Sequence, residues 1–225
     1  MKLDYETIKN ELVKFRKQNN LSNVFIDHKN KKIDINWLER FEQYDIIKFL
    51  PKNSIVLELG ARFGTVSCII NRKIANSLHQ VSVEPDERVW NALEYNKKNN
   101  KCDFNIFKGV ISERKKKLSK INDTDGYGTV TIDSDDLTLE QSLNVISFTE
   151  LEKKYNLKFN VLVADCEGCL GELLKDNPHL YTQLKMIFYE KDNPKQTNYN
   201  EIERNLVKHG FKPIKKNFHS IFTKY

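Results

Sequence analysis

The sequence predicts an α/β fold in which helices cover a mostly parallel sheet. From residue 55 onward, short apolar runs of strand length alternate with longer segments of helical periodicity, the pattern of βαβ units. The first apolar run leads into a turn containing Gly60 and Gly64, as in strand-to-helix turns that hold a ligand. The chain has 225 residues and no linker rich in proline, glycine or serine, so we expect one domain.

Two helices are predicted before the alternating region. Apolar residues recur every three or four positions among charged ones over residues 5–18 and again over residues 34–50. Pro51 ends the second helix, because proline cannot continue it. These helices form an N-terminal extension, residues 1–53, ahead of a core at residues 54–225. We expect them to cover an edge of the sheet or the mouth of a cofactor site.

The core is predicted to alternate strands and helices. Strands are predicted at residues 55–59, 80–83, 104–111, 161–164 and 186–189. Helices are predicted at residues 65–76, 87–99, 170–181 and 199–209. Two short strands at 212–215 and 220–223 are typical of an antiparallel pair. Residues 112–150 form an unusually long connection between the third and fourth strands, which is typical of a functional lid.

The charge balance leaves several partner classes open. Lysine and arginine number 37 against 31 acidic residues, but much of the excess lies in lysine-rich runs near 29–32 and 115–117, which are usually solvated. This balance permits nucleic acid without requiring it. Because the chain lacks an apolar segment near 18 residues and a signal-peptide core, we expect a soluble cytoplasmic protein with no membrane partner. The pattern indicates no particular oligomeric state.

No metal site is predicted. The cysteines are Cys68, Cys102, Cys166 and Cys169. A single C-x-x-C with no second pair is a weak zinc signal, so we expect small, buried and reduced side chains. Residues 123–126 imitate a calcium loop, but Ile121 and Ile132 would occupy its first and last ligand positions. Isoleucine offers no oxygen ligand, which excludes an EF-hand.

The turn after the first strand suits a small cofactor. It reads Glu58-Leu-Gly60-Ala-Arg62-Phe-Gly64, so that Gly60 admits a ligand close to the backbone and Gly64 permits sharp entry into the helix. Glu58 is placed to attract a cation. A dinucleotide fingerprint would need glycine at 62 and 65, where Arg62 and Thr65 stand. S-adenosylmethionine has an ammonium and a sulfonium group but no pyrophosphate, and it fits this turn better.

Glu84 ends the second strand, twenty residues after Gly64. A carboxylate there can accept both ribose hydroxyl groups, as in dinucleotide folds. The alternative role, an acid at a helix N-terminus, suits Asp86 better. Val110, at the end of the third strand, is the expected adenine contact, although it could equally be core.

Two carboxylates, Asp165 and Glu167, follow the fourth strand and precede Gly168. Carboxyl ends of parallel strands meet at one sheet edge, so we expect these acids to surround the reacting centre together with Glu58 and Glu84. Helix capping could account for one of them. Glu190, after the fifth strand, is a weaker candidate.

In this order the motifs resemble those of class I S-adenosylmethionine-dependent methyltransferases, and within them the FkbM-type family. The resemblance is carried by GARFG at 60–64, VEPDERVWNALEYNKKNN at 83–100, GVISERKKKL at 109–118 and ADCEG at 164–168, and it covers about residues 54–192. It implies a Rossmann-like sheet of order 3-2-1-4-5-7-6 with strand 7 antiparallel. It also implies cofactor contacts at Glu58, Gly60, Ala61, Arg62, Phe63, Gly64, Glu84, Pro85, Val110 and Asp165.

The chain departs from the family pattern at several positions. Arg62 occupies an asparagine position near the methionine part of the cofactor, and Leu170 stands where a second glutamate is frequent. Thr149 replaces a carboxylate within the 148–151 segment. These departures leave cofactor binding in place and bear on the substrate site.

The resemblance implies O-methylation of a hydroxyl group on a sugar, a glycan or a small metabolite. Methyl transfer requires in-line positioning, and a hydroxyl nucleophile must lose its proton. Asp165 and Glu167 are the candidate catalytic groups. The histidines at 79, 179, 209 and 219 fall near element ends, and we expect them on the surface.

Two alternatives remain open from the sequence. A nucleic-acid methyltransferase is favoured by the positive balance, but an N-P-P-Y-like motif is missing at the fourth strand end, and Asn193-Pro194 comes after the fifth. A binding protein on the same fold without catalysis is favoured by Arg62, Thr149 and Leu170.

Overall fold

The computed structural model describes residues 4–22, 24–119, 130–133 and 142–225. The helices are α1 Tyr5–Gln18, α2 Arg40–Phe49, α3 Thr65–Lys73, α4 Glu87–Asn99, α5 Phe148–Tyr155, α6 Cys169–Asp176, α7 Leu180–Gln183 and α8 Tyr199–Lys208. The strands are β1 Val56–Leu59, β2 Gln80–Glu84, β3 Asn105–Lys108, β4 Val110–Ile111, β5 Lys116–Leu118, β6 Thr131–Asp133, β7 Val145–Ile146, β8 Val161–Ala164, β9 Met186–Glu190, β10 Lys212–Lys215 and β11 His219–Thr223. Within these ranges, none of the helices is long and apolar enough to cross a membrane.

Seven strands form the main sheet in the order β10-β11-β9-β8-β1-β2-β3. The strands from β9 through β3 pair in parallel, and β11 runs antiparallel between β9 and β10. The predicted fold class and strand order are therefore confirmed. In the central register Leu59 lies beside Val83 and Ala164, so β1, β2 and β8 end at one edge of the sheet.

Helices cover both faces of the sheet because its central strands are buried on both sides. Leu57 and Leu59 of β1 belong to a core cluster that includes residues of α5, α6 and α8. Val56, on the opposite face, belongs to a cluster with residues of α2 and α3. Side chains alternate along a strand, so Glu58 also lies on the α3 face.

The N-terminal extension packs on the sheet through α2, against α3. Buried Arg16 of α1 donates to Asn36 Oδ1 at 2.8 Å and to the Ile35 carbonyl at 2.6 Å, which ties α1 to the segment before α2. The second helix begins at Arg40, six residues later than predicted. Residues 35–39 form turns instead, and Glu39 has a left-handed backbone with φ of 50°.

Two other predicted elements divide. The strand predicted at 104–111 splits at Gly109, because β4 leaves the main sheet and pairs with β7. The helix predicted at 170–181 splits into α6 and α7 around Pro178, which has no N–H to donate and disfavours a helical backbone at Asn177.

The predicted lid segment contains an antiparallel pair of strands, β5 and β6, that is anchored to α6. Residues 123–126, which imitate a calcium loop in the sequence, lie outside the described residues. Lys116 of β5 is 3 % exposed and donates to Asp133 of β6 and to Glu172 of α6, each at 2.5 Å. Arg114 lies 2.7 Å from Glu172 as well. These ion pairs attach the segment between β4 and β7 to α6, the helix that follows Asp165 and Glu167.

Replacing Lys116 with methionine is expected to lower the free energy of unfolding by about 1.5–3 kcal/mol, since two charge-assisted hydrogen bonds are lost while the apolar stem is kept. Urea unfolding measures this change. Lys117→Met is the matched control, because its side chain lies on the other face of the strand, and it should change stability by less than about 0.5 kcal/mol. Equal losses in both variants would contradict a structural role for the network.

Candidate active site

A cavity of about 520 Å³ lies at the edge where β1, β2 and β8 end. Its wall also includes the end of β9, the start of β11 and the N-terminal turn of α2. Ligand sites in open α/β sheets lie at this edge. The predicted residues that reach the wall are Gly60, Arg62, Glu84, Pro85, Val110, Asp165 and Glu167.

Gly60 is required by the close approach of two chain segments. Its φ is 85°, and an added Cβ would lie 1.7 Å from the carbonyl oxygen of Asp165. Its N–H and that of Ala61 donate to the carbonyl of Val83 at 3.0 and 3.1 Å. The turn is thereby held between the ends of β2 and β8, with its backbone against the cavity.

Glu84 is held in place by the backbone of its neighbours. It is 5 % exposed, and its carboxylate accepts from the N–H of Arg62 at 2.6 Å and from the N–H of Asp86 at 2.8 Å. Burial raises the pKa of this carboxyl to about 7. Asp86, rather than Glu84, caps α4 by accepting from the N–H of Arg88, as predicted.

Other predicted turn residues build the support beneath the cavity. Glu58 points to the α3 side of the sheet, where its carboxylate accepts from Ser82 Oγ at 2.5 Å and from Gln80 Nε2 at 3.3 Å. Burial raises its pKa. Ala61 and Phe63 are buried in core clusters. Gly64 directly precedes α3 and lies against Leu93 of α4. The structure does not bring the side chains of these residues to the cavity wall.

Asp165 and Glu190 form a pair of carboxyl groups at the ends of β8 and β9, joined by a hydrogen bond. Burial raises the pKa of both groups, and their mutual repulsion raises that of Glu190 further. Two close carboxyl groups in a buried site favour a state in which they share one proton. Glu167 also lies in the wall, on a left-handed backbone with φ of 53°.

His219 belongs to the cavity, so the prediction that it lies on the surface is wrong. Its Nδ1 is 2.7 Å from Glu42 of α2, and its Nε2 is 3.9 Å from Glu190. The first residue of β11 reaches this edge because β11 is antiparallel to β9, which brings His219 beside Glu190. Nothing in the sequence of this short strand predicts the register that pairs His219 with Glu190.

The beginning of α2 and the residue before it contribute acidic side chains that the sequence did not predict for the site. Glu39 and Glu42 both line the cavity. Their segment has an amphipathic pattern that extends through residues 34–50, so the pattern alone does not separate them from solvated helix residues. Only the docking of α2 beside α3 places them at the strand ends.

Cys166 and Cys169 are joined by a disulfide bond in the cavity wall. The prediction of reduced side chains is therefore wrong for this pair, whose Cα atoms are 5.4 Å apart across the turn into α6. Cys68 and Cys102 are free and buried, as predicted.

The mostly parallel seven-stranded sheet with helices on both faces is a Rossmann-like α/β fold, and solved structures of methyltransferases share it. A solved structure described as a candidate RNA methyltransferase from Pyrococcus horikoshii matches at a TM-score of 0.50, with 14 % identity over 100 % of this chain and 98 % of that one. A methyltransferase from Pyrococcus furiosus matches at a TM-score of 0.48, with 16 % identity over 96 % of this chain and 98 % of that one. An O-methyltransferase from Bacillus cereus in complex with SAH matches at 0.45, with 10 % identity over 96 % and 89 %. Neither a protein-family model nor a curated protein matches the chain.

Proposed function

We propose that the protein is an S-adenosylmethionine-dependent methyltransferase of the FkbM type that methylates a hydroxyl group on a sugar, a glycan or a small metabolite. The observation that carries this proposal is the Glu84 carboxylate, held by two backbone N–H groups in the cavity wall beside the glycine turn. A carboxylate in that position is oriented for a vicinal diol.

The cavity residues fit the cofactor. Each oxygen of Glu84 accepts one backbone hydrogen bond and keeps a lone pair for a ribose hydroxyl. Pro85 and Val110 offer apolar surface for adenine on the β3 side, and Gly60 leaves room for a ligand against the turn. When bound, the cofactor supplies a methyl group activated by its sulfonium. The volume of about 520 Å³ is in the usual range for a cofactor site.

The Asp165/Glu190 pair can accept the proton that the hydroxyl group of the methyl acceptor loses. Because the pair shares one proton, its ionised member can accept the proton of a hydroxyl nucleophile. Glu167 is the second candidate for this role. The carboxylates of Glu42 and Asp192 add negative charge to the cavity wall and would repel phosphate groups. This lining favours an uncharged acceptor over nucleic acid.

The pH dependence of binding tests the role of Glu84. Ionised Glu84 accepts both ribose hydroxyls, so protonation should weaken binding. With a pKa of about 7, affinity for methylthioadenosine, which has no amino-acid part, should rise about tenfold from pH 6 to pH 8. The charges that act on this carboxyl are those of Asp86 and Arg62. Titration calorimetry of Glu84→Gln should give a nearly flat profile, and a flat profile in the unmodified protein would contradict the assignment.

The acceptor is found by transferring labelled methyl groups from S-adenosylmethionine into fractionated glycan, metabolite and RNA pools. We expect label in a glycan or metabolite fraction, on oxygen, as determined by mass spectrometry. Label in RNA would contradict the proposed class of acceptor, and label on nitrogen would contradict O-methylation. Failure of the intact protein to bind S-adenosylmethionine in calorimetry would favour a binding protein of another kind.

A further inference from the structure

We propose that Glu39 binds the amino group of the cofactor's amino-acid part, so that the N-terminal extension completes the cofactor site. This inference rests on the proposed function and names a contact that lies outside the resemblance to any motif of the core. It would make the turn before α2 a part of the binding site rather than a cover over it.

The strand order gives the direction in which the cofactor would lie. In the proposed site, adenine would lie beside Val110, just after β3, and the ribose would lie at Glu84, the end of β2. The amino-acid part must then extend the other way along the edge, past β1 toward β8. Gly60 and Asp165 mark that part of the cavity, and Glu39 lines the same wall.

Glu39 is positioned by its own backbone and by α3. Its φ of 50° lies in the left-handed region, which is unfavourable for a residue with a long side chain. Such backbone is retained where the surrounding structure demands it, often at ligand sites. Thr65, the first residue of α3, donates its hydroxyl to the Glu39 carboxylate. The carboxylate is therefore held over the start of the helix that follows the glycine turn.

The charges around Glu39 suit a cationic ligand group. Burial raises the pKa of its carboxyl to about 8, and the negative charges of Asp165 and Glu42 add to that rise, while Arg62 opposes it. An ammonium group placed here would restore the ionised form, because opposite charges in a poorly solvated site stabilise each other. The geometry of the turn carries the inference, and this shift agrees with it.

Two ligands that differ only in the amino-acid part test the contact. S-adenosylhomocysteine carries the amino group, and methylthioadenosine lacks it. We expect Glu39→Gln to weaken S-adenosylhomocysteine binding at least about tenfold, the loss for a charge-assisted hydrogen bond, and to change methylthioadenosine binding less than about twofold. Titration calorimetry at pH 8.5, roughly half a unit above the pKa of Glu39, measures both affinities.

Matched variants separate this effect from damage to the fold. Glu11→Gln makes the same substitution in the N-terminal extension but outside the cavity, where Glu11 pairs with Lys48, and should change neither affinity. Thr65→Val removes the hydrogen bond that positions Glu39. It should weaken the binding of S-adenosylhomocysteine but not that of methylthioadenosine, by a smaller factor than Glu39→Gln.

Three outcomes would be decisive. A selective loss for S-adenosylhomocysteine in Glu39→Gln supports the contact. Unchanged affinity, or equal losses for both ligands, overturns it while leaving the proposed function in place. If the unmodified protein binds neither ligand, the proposed function itself fails.

Discussion

Glu84→Ala is expected to weaken S-adenosylmethionine binding at least about tenfold without unfolding the protein. The substitution removes an acceptor for two ribose hydroxyl groups, and hydrogen bonds to a charged group contribute about 1.5–3 kcal/mol. It also leaves the N–H groups of Arg62 and Asp86 without their present acceptor, so the turn loses one of its contacts with β2 and keeps the backbone bonds to Val83. Titration calorimetry measures the affinity, and circular dichroism checks that the fold is retained.

Glu94→Ala is the control for this substitution. Glu94 is an exposed acid on α4 that pairs with Lys108 outside the cavity, and its replacement should leave cofactor affinity unchanged. Unchanged affinity in Glu84→Ala would remove Glu84 from the site and with it the main support for the proposed cofactor.

Gly60→Ala is expected to have the largest effect on stability, about 4 kcal/mol or more. The new Cβ would lie 1.7 Å from the carbonyl oxygen of Asp165, so the backbone of the turn or of the β8 exit must move. Because the neighbouring atom is backbone, rotation of a side chain cannot relieve the overlap. Cofactor affinity should fall as well, since the displaced segments form the cavity wall. Urea unfolding and calorimetry measure the two effects.

Gly210→Ala separates steric overlap from backbone strain. Gly210 has nearly the same φ, 86°, but an added Cβ would meet no atom within 4 Å. Its replacement should therefore cost only the left-handed backbone penalty of about 1–2 kcal/mol. Similar losses in the two variants would show that the approach of Asp165 to Gly60 is not what requires glycine there.

Local pattern was sufficient for most of the core. The alternation of short apolar runs with helical segments predicted the boundaries of β8 as the structure has them, because a strand that is buried on both faces reads as a continuous apolar run. The family resemblance supplied the strand order. One error depends on a distant segment, because β4 pairs with β7 rather than continuing β3. The other is local, because Pro178 lies inside the predicted helix and divides it.

Only the structure showed to which side of the sheet the acidic side chains of β1 and β2 point. Glu58 directly precedes the turn and was expected at the cofactor, yet strand alternation turns it toward α3, where Ser82 and Gln80 bond it. Glu84 ends its strand on the cavity side. The two acids look equivalent in the sequence and are both buried, and they differ in their hydrogen-bond partners and in which of them lines the cavity.

From the chain alone follow the α/β class, the glycine turn and the acids at the strand ends, because each depends on residues close in sequence. The part of the cavity wall formed by Glu39, Glu42 and His219 comes from an N-terminal turn and a C-terminal strand that meet only after folding. Docking of α2 on α3 and the antiparallel register of β11 bring them there. Contacts between such distant segments are set by packing and hydrogen-bond pairing in three dimensions, which leave no periodic pattern in the sequence.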